Sequence, residues 1–599
     1  MAHPTEHQLI VEAEPPAVTV GDVAAAWLHE FSSALSASDA DAVARAFLPE
    51  GWLRDSLTFT WNNRALRGRA KIAAFLSDTL PYHPVSNVAL DHDPHLAPAY
   101  HAVPPGTVEF GFRYETPIAW GRGYARLVQA SSGRWEALTA STIVSDLKGH
   151  EEPLDGTDWE AQAGERSWGQ LRGDLAAQTE ANPTVLIVGG GQSGLQVAAR
   201  FKQMGIPTLL IERHARIGDN WRKRYASLAL HTPKEQHQLL YQPFPSNWPL
   251  YTPRDKLADW LEAYAVHQDL VVWTSTTIRG RPAYDAAHGR WRVTLERGGT
   301  LTTLTPAHIV MATGVLGEPH VPVFAGRERF PGAVLHTSAY MMAAPFAGRR
   351  VVVVGAGNTA IDVCQDLVGA RAASVTMVQR SATCVVSRAN VLKHLHARWA
   401  PGVPVIVGDL KNASTPTGFV REQLIAHQDV QWAEERELHA KLRGSGLKLT
   451  LGPEGQGHVG LVYERFGGFW QDKGGADLIA SGQIRIKQGV QPVAYSPEGL
   501  VFEDGSVLPA DVIILATGYL NIRETNKQIF GPDIVNQISE VHGLDDEGEL
   551  RGTCRPTGHP GLWFAGGDFF HSRFMSKQLA ILIKARELGL IPRPPSARL

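Results

Sequence analysis

The chain has 599 residues, 44% hydrophobic and 20% charged, with a formal net charge of −3. That length exceeds one hydrophobic core and fits several domains; the composition excludes a disordered or collagen-like chain, and the near-neutral charge argues against a general affinity for nucleic acid or an anionic membrane. Three cysteines, Cys364, Cys384 and Cys554, are too few and too scattered for a disulfide framework, a CxxC redox pair or a zinc site, so no metal is expected.

Residues 1–20 have neither the basic nor the long apolar region of a signal peptide and read as disordered. No apolar run reaches the roughly 18–20 residues that span a bilayer, so the expectation is a cytoplasmic protein without a membrane anchor. Residues 21–45 have helical periodicity, with Asp39 or Asp41 placed to start a second helix. The alternating segments TVEFGFRYETPIAW and GRWEALTASTIVSDLK then predict antiparallel strands. This α+β domain, 21–150, resembles the NTF2-like (SnoaL-like) cone fold, with Trp52-Leu53-Arg54-Asp55 and Trp61 near the place where such domains carry their mouth. Arg54 and Asp55 read either as a polar site or as a salt bridge. Domains of that kind often pair, which leaves a homodimer open. Residues 151–180 are polar and read as a linker helix.

From 181 onward strand and helix patterns alternate, which indicates parallel sheets. The strand Val185-Leu186-Ile187-Val188 runs into Gly189-Gly190-Gly191-Gln192-Ser193-Gly194. In a dinucleotide loop, Gly189 makes the tight turn, Gly191 lets the backbone approach the pyrophosphate, and Gly194 lets helix and strand pack closely. Gln192 and Ser193 open the helix whose free N–H groups face the phosphates. The next strand ends at Glu212, whose carboxylate can accept from both hydroxyls of an adenosine ribose and repels a 2′-phosphate.

A second strand, Val351-Val352-Val353-Val354, runs into Gly355-Ala356-Gly357-Asn358-Thr359-Ala360. Ala360 replaces the third glycine, and the following strand ends in Arg380, whose guanidinium can fork onto a 2′-phosphate. An Ala-Thr-Gly triplet closes a strand after each loop, in HIVMATG (308–314) and DVIILATGY (511–519). The order loop, triplet, loop, triplet predicts one dinucleotide domain (181–340 and 520–599) with a second (341–519) inserted into it. Asp568, following a strand and a Gly-Gly pair, reads as a helix N-cap and also resembles the second FAD motif of two-dinucleotide flavoproteins. The first loop is therefore assigned to FAD and the second to NADPH.

Between the loops stands Phe330-Pro331-Gly332-Ala333-Val334-Leu335-His336-Thr337-Ser338-Ala339-Tyr340, a match to FxGxxxHxxxY. It resembles the fingerprint of class B flavin-dependent monooxygenases, where its role is structural and conformational. The resemblance covers about 181–590 and includes Asn220, Trp221 and Arg222, which the family places against the flavin. It also includes His231 and Thr232: animal flavin-containing monooxygenases have an asparagine before this threonine, whereas plant YUCCA-type enzymes resemble this chain in having histidine. Tyr340-Met341 departs from the Baeyer–Villiger branch. The resemblance implies an NADPH- and O2-dependent enzyme that forms a C4a-hydroperoxyflavin and passes one oxygen atom to a small organic substrate at N, S or a carbonyl or 2-oxo acid carbon. Trp221, Tyr225, Phe244 and Trp248 would either wall the pocket or fill the core. The alternatives are an NADPH oxidase or electron-transfer flavoprotein, and a redox-responsive binding protein. The terminal Ala597-Arg598-Leu599 resembles a variant peroxisomal address or is an accidental basic tail.

Overall fold

The computed structural model describes residues 19–102, 105–153, 156 and 159–591. The stretch 1–18 and the tripeptide 597–599 lie outside the described residues. Thr19 and Val20, expected to be disordered, instead start a helix: Thr19 caps Val20–Ser36 by accepting the Asp22 N–H at 3.2 Å. A hydroxyl three residues ahead of an acid is a local start signal that the surrounding polar composition hid.

The first helix turns Val23, Trp27, Leu28 and Phe31 to one face. Trp27 and Phe31 stack at 4.6 Å and meet Phe110 and Phe112 from the sheet beneath. Asp39, not Asp41, caps the second helix, Ala40–Arg45. The sheet runs Asn63–Arg67, Phe47–Ser56, Trp135–Leu147, Ala119–Gln129, Pro105–Glu115, Ser86–Leu90, with Ala99–Ala102 beside Pro105–Glu115. The two long alternating segments do pair antiparallel with their neighbours. Two features depart from the expected helices-then-meander order. A third helix, Arg69–Thr79, follows the second strand, and Phe47–Ser56 pairs parallel with Trp135–Leu147. In 151–180, Trp168–Ala181 is a helix opened by a Ser167–Gln170 capping box.

Two five-stranded sheets follow. The first is parallel, in the order Val272–Trp273, Thr208–Ile211, Val185–Val188, His308–Met311, Leu562–Phe564. The second, also parallel, runs Ala333–His336, Val512–Leu515, Arg350–Val354, Ser374–Gln379, Ile484–Gln488. In each, a three-stranded antiparallel ribbon precedes the strand that ends in Ala-Thr-Gly: Thr276 to Leu304 in one, Pro492 to Pro509 in the other. Because Leu562–Phe564 returns to the first sheet, the second lobe is inserted into the first. The two crossings, Leu316–Pro319 and Tyr519–Asn521, run antiparallel side by side. The insertion starts earlier than residue 341, because the fingerprint strand Ala333–His336 is an edge strand of the second sheet. Its short apolar run, Ala333-Val334-Leu335, does not say which sheet it joins.

The N-terminal domain is not a separate bead. Leu57, Val144 and Leu147 join the core of the first lobe. The Trp52 ring lies on Gly418, where an added Cβ would fall 2.5 Å from it. Gly418 belongs to a helical block, Arg388 to Arg465, that the sequence reading left undescribed. Arg54 makes no salt bridge with Asp55. It forks onto Glu549 at 2.6 and 2.7 Å, with the two side chains 10% and 2% exposed, and also donates to the Ala413 carbonyl. Asp55 is fully buried and accepts from the Thr58 and Phe59 amides and the Thr142 hydroxyl. Arg64 forks onto Glu547, and Lys577 reaches Glu152 of the linker at 2.7 Å. A cleft of about 810 Å³ follows this seam, lined by Trp52, Arg64, Lys71, Arg421 and Glu547 among others.

Removing one member of a buried ion pair leaves the other charge without a partner, which costs about 3–5 kcal/mol. Arg54→Ala should therefore lower the denaturation midpoint markedly. Arg54→Met combined with Glu549→Leu should recover most of the loss. Equal midpoints for Arg54→Ala and wild type in urea titrations would show the pair to be dispensable.

Candidate functional site

Both glycine loops obey one steric rule. Gly189 has φ +112°, and a Cβ there would lie 2.6 Å from the carbonyl oxygen of Ala312, first residue of the first Ala-Thr-Gly triplet. Gly355 has φ +129°, and its Cβ would lie 2.3 Å from the carbonyl oxygen of Ala516, first residue of the second. Each triplet strand pairs with the loop's own strand, so loop and triplet are two halves of one construction. Gly194 stands where a Cβ would come within 2.0 Å of the Gly189 carbonyl, whereas Ala360 is accommodated and buried.

Gly191 and Gly357 are the N-caps of Gln192–Gln203 and Asn358–Gly369, and neither helix has a side-chain cap. Their first amides are thus available to an anion, and the helix dipole favours one. Ser193 is buried, and Gln192 and Thr359 occupy the first turns. Asn358 faces inward, accepting the Gln471 amide at 3.2 Å. Glu212, at the end of its strand, is held by the Gly190 and His214 amides, each at 2.8 Å. Arg380, at the matching place in the second lobe, is exposed and has no ion-pair partner among the described residues.

Asn220 lies against the first loop, its Nδ2 3.3 Å from where a Gly191 Cβ would be. Trp221 packs against the cores of both lobes. Arg222, expected beside the cofactor, has protein partners. Its guanidinium is taken up by Asp219, Asp259 and Glu262 and by the Ile217 carbonyl. Those acids lie on two different helices, a convergence that the local motif does not reveal. Phe244, Trp248 and Trp260 form an aromatic cluster, Phe244 stacking on Trp248 at 4.5 Å.

Asp568 caps the helix Phe569–Glu587, accepting the His571 amide at 2.9 Å, and it also receives His571 Nδ1 at 2.7 Å and Gln236 Nε2 at 3.1 Å. Burial pushes its pKa up, but His571 and Arg573 outweigh that and hold it down at about 2. Thr232 shares a hydrogen bond with His237, whose pKa burial lowers to about 3. Among the described residues, the adjacent Gln236 Oε1 and His237 Nδ1 are buried without a protein partner, and so is Trp221 Nε1. Buried polar groups are usually hydrogen-bonded, so the Gln236–His237 pair fits a place that receives a polar ligand. The free helix starts and the close glycine cradles likewise fit a dinucleotide at each loop.

His231 Nε2 lies 3.2 Å from Asp362 Oδ2, on the helix that starts at the second loop. The same carboxylate accepts Tyr225 Oη at 2.7 Å and faces Lys473 Nζ at 2.8 Å. Sequence reasoning missed Asp362, and its place five residues beyond Gly357 on a dinucleotide helix is the signal that could have found it. The fingerprint side chains are all buried. Phe330 stacks on Tyr495, and a Cβ on Gly332 would lie 2.2 Å from the Asp511 carbonyl. His336 Nδ1 accepts the Ser338 amide at 3.1 Å, so Nε2–H donates to the Gly518 carbonyl at 3.0 Å, and burial lowers its pKa. Tyr340 donates to Asp366 at 2.6 Å. Among the described residues, no group of three or more His, Cys, Asp or Glu could hold a metal ion, and no helix is long and apolar enough to cross a membrane.

A model of the flavin-binding monooxygenase-like family matches residues 182–522. The indole-3-pyruvate monooxygenase YUCCA1 of Oryza sativa subsp. japonica is 33% identical over 344 residues, covering 56% of this chain and 77% of its own. The probable indole-3-pyruvate monooxygenase YUCCA7 of Arabidopsis thaliana is 34% identical over 343 residues, 56% of this chain and 73% of its own. Among solved structures, a flavin-containing monooxygenase from Stenotrophomonas maltophilia is 19% identical with a TM-score of 0.43, covering 67% of this chain and 98% of that one. An oxidized steroid monooxygenase bound to NADP is 18% identical with a TM-score of 0.49, covering 68% and 85%.

Gly355→Ala forces a side chain onto the Ala516 carbonyl at positive φ and should cost about 2 kcal/mol or more. Gly369→Ala, with nothing within 4 Å of its Cβ, should change stability by less than about 0.5 kcal/mol. Urea unfolding followed by fluorescence compares the two; equal midpoints would remove the steric rule.

Proposed function

The chain belongs to the flavin-binding monooxygenase-like family, and from that premise we propose how its two lobes divide the work of an FAD-dependent NADPH monooxygenase. The first loop holds FAD and the second NADPH. The observation that carries this division is the opposed chemistry at two equivalent strand ends: Glu212, fixed by two backbone amides, against Arg380, exposed and without an ion-pair partner among the described residues. A fixed carboxylate suits ribose hydroxyls and repels a 2′-phosphate; an unpaired guanidinium attracts one.

When bound, NADPH supplies hydride and reduced FAD the electrons that activate O2, so that one oxygen atom passes to the substrate. The protein's part is to bind, orient and exclude water. The Gln192–Gln203 amides and the Gly189–Gly194 cradle would hold the FAD pyrophosphate, with Asn220, Trp221 and Asp568 along its length. The Gly355–Ala360 loop, with Asn358 and Thr359 opening its helix, would hold that of NADPH. Trp221, packed on both cores, stands at the junction, and its indole N–H, without a partner among the described residues, is a donor for the flavin. His231 and Thr232 approach the same junction, His231 being the residue assigned to face the reacting rings. The buried walls keep water out, which suppresses loss of reducing power as H2O2.

The substrate is a small organic molecule oxidised at N, S or a carbonyl or 2-oxo acid carbon. The similarity to indole-3-pyruvate monooxygenases supports the last of these. The sheet-and-helix arrangement of 21–150 supports the NTF2-like reading, in which that domain closes one side of the site and offers a surface for pairing.

The purified protein should be yellow and should oxidise NADPH far faster than NADH. Loss of a bidentate charge-assisted contact, worth about 1.5–3 kcal/mol, should make Arg380→Ala lose at least about tenfold of that preference. An unchanged NADPH-to-NADH ratio would remove Arg380 from the reading. Oxygenated product should exceed H2O2 per NADPH with a good substrate; H2O2 alone with amines, sulfides and 2-oxo acids would leave an NADPH oxidase.

A further inference from the structure

The helix Asn358–Gly369 does two things at once. Its N-terminus faces the second loop, and two carboxylates one turn apart, Asp362 and Asp366, reach tyrosines outside the helix. Asp366 takes the Tyr340 hydroxyl of the fingerprint, and Asp362 takes the Tyr225 hydroxyl of the first lobe. The two tyrosine rings lie 6.3 Å apart. Asp362 also accepts from His231 and pairs with Lys473, and its side chain is 2% exposed against 22% for His231. A carboxylate so deeply placed is costly without partners. Here burial raises its pKa, and His231 and Lys473 more than reverse that, holding it at about 2. Asp362 is therefore an ionised acceptor, and the ring nitrogen facing it, Nε2, is the one that carries a proton. Arg388, which donates to the Leu230 carbonyl at 3.4 Å and lies over the Tyr251 ring, completes the charged surroundings of this segment.

We propose that Asp362 is a positioning residue for the monooxygenase reaction, fixing His231 as its Nε2–H form and coupling the ring's orientation to the seating of the second-loop helix on its dinucleotide. The inference rests on the division of cofactors proposed above. It deepens that division, because the same short helix touches the nucleotide at one end and His231 five residues on. Because Asp362 is carried on that helix, a displacement of the helix at the loop displaces the His231 contact with it.

Two measurements test it. With histidine ring nitrogens labelled with 15N, and the His231 signals assigned with His231→Gln, the wild-type chain should show the Nε2–H tautomer at His231. Asp362→Asn should lose or mix it, while Tyr225→Phe should keep it. This readout needs no turnover, so it stands even if the oxygenation reading fails. In steady state, Asp362→Asn should leave KM for NADPH within about threefold and lower kcat about tenfold or more, the mark of lost orientation rather than lost binding. Asp362→Asn combined with His231→Ala should be no slower than His231→Ala alone, since each removes the same interaction. An unchanged His231 tautomer in Asp362→Asn, or fully additive losses in the double variant, would overturn the proposal. If Asp362→Asn fails to fold, Asp362→Glu carries the test: its displaced carboxylate must shift the His231 signal and lower kcat, and a wild-type signal there overturns the proposal equally.

Discussion

A backbone carbonyl pressed against a glycine is the constraint on which the remainder depends. At Gly189 the carbonyl is that of Ala312, and at Gly355 that of Ala516. Each contact exists because a parallel strand passes directly beside the loop's own strand and ends there. Any side chain would force loop and strand apart, and the helix start that faces an anion would move with them. The chain builds this arrangement twice, each time with an antiparallel ribbon leading into the Ala-Thr-Gly strand. The repetition shows one construction built twice, not a chance glycine run.

Two such units in one chain are useful only if they face each other reproducibly. The lobes are joined by two short strands running side by side, Leu316–Pro319 and Tyr519–Asn521, a narrow crossing that by itself would allow rotation. Across it, Asp362 of the second lobe accepts from Tyr225 and faces His231 of the first, and Trp221 packs on both cores. Within the second lobe, the His336 ring fastens the fingerprint strand to the second triplet through Gly518, and Asp366 takes Tyr340. Such bonds are directional, so they fix orientation where an apolar seam would fix only proximity. The fingerprint's spacing thus has a physical reading. Its phenylalanine and glycine pack the strand, its histidine ties the strand to the triplet, and its tyrosine reaches the helix.

What the sequence made legible was local, and what it hid was convergent. The glycine loops, the triplets, Glu212 and Arg380 lie at fixed offsets along single strand–loop–helix units, so their geometry follows from chain order. Arg222 is the opposite case. It sits in a motif that points to the flavin, yet Asp259 and Glu262 arrive from a helix some forty positions on and claim its guanidinium. Asp362 was missed for the same reason, since its partners come from two distant stretches, Tyr225 and His231 from one and Lys473 from another. The edge strand Ala333–His336 is too short for its pattern to name its sheet. The parallel pairing of Phe47–Ser56 with Trp135–Leu147 spans most of the N-terminal domain and leaves no trace in alternation alone.

The N-terminal domain has the same lesson in its charges. Arg54 and Asp55 are sequence neighbours on one strand, and successive strand residues point to opposite faces, so a pair between them was never sterically favoured. Arg54 instead crosses the domain boundary to Glu549. Beside that boundary the half-buried Tyr463 lines a cleft of about 230 Å³ with Thr417, Arg421 and Asp545. Leu57, Val144 and Leu147 share one core with Phe569, Met575 and Leu579 of the helix that Asp568 caps, so the N-terminal domain helps to seat that helix, and disturbing the boundary loosens the element that carries Asp568.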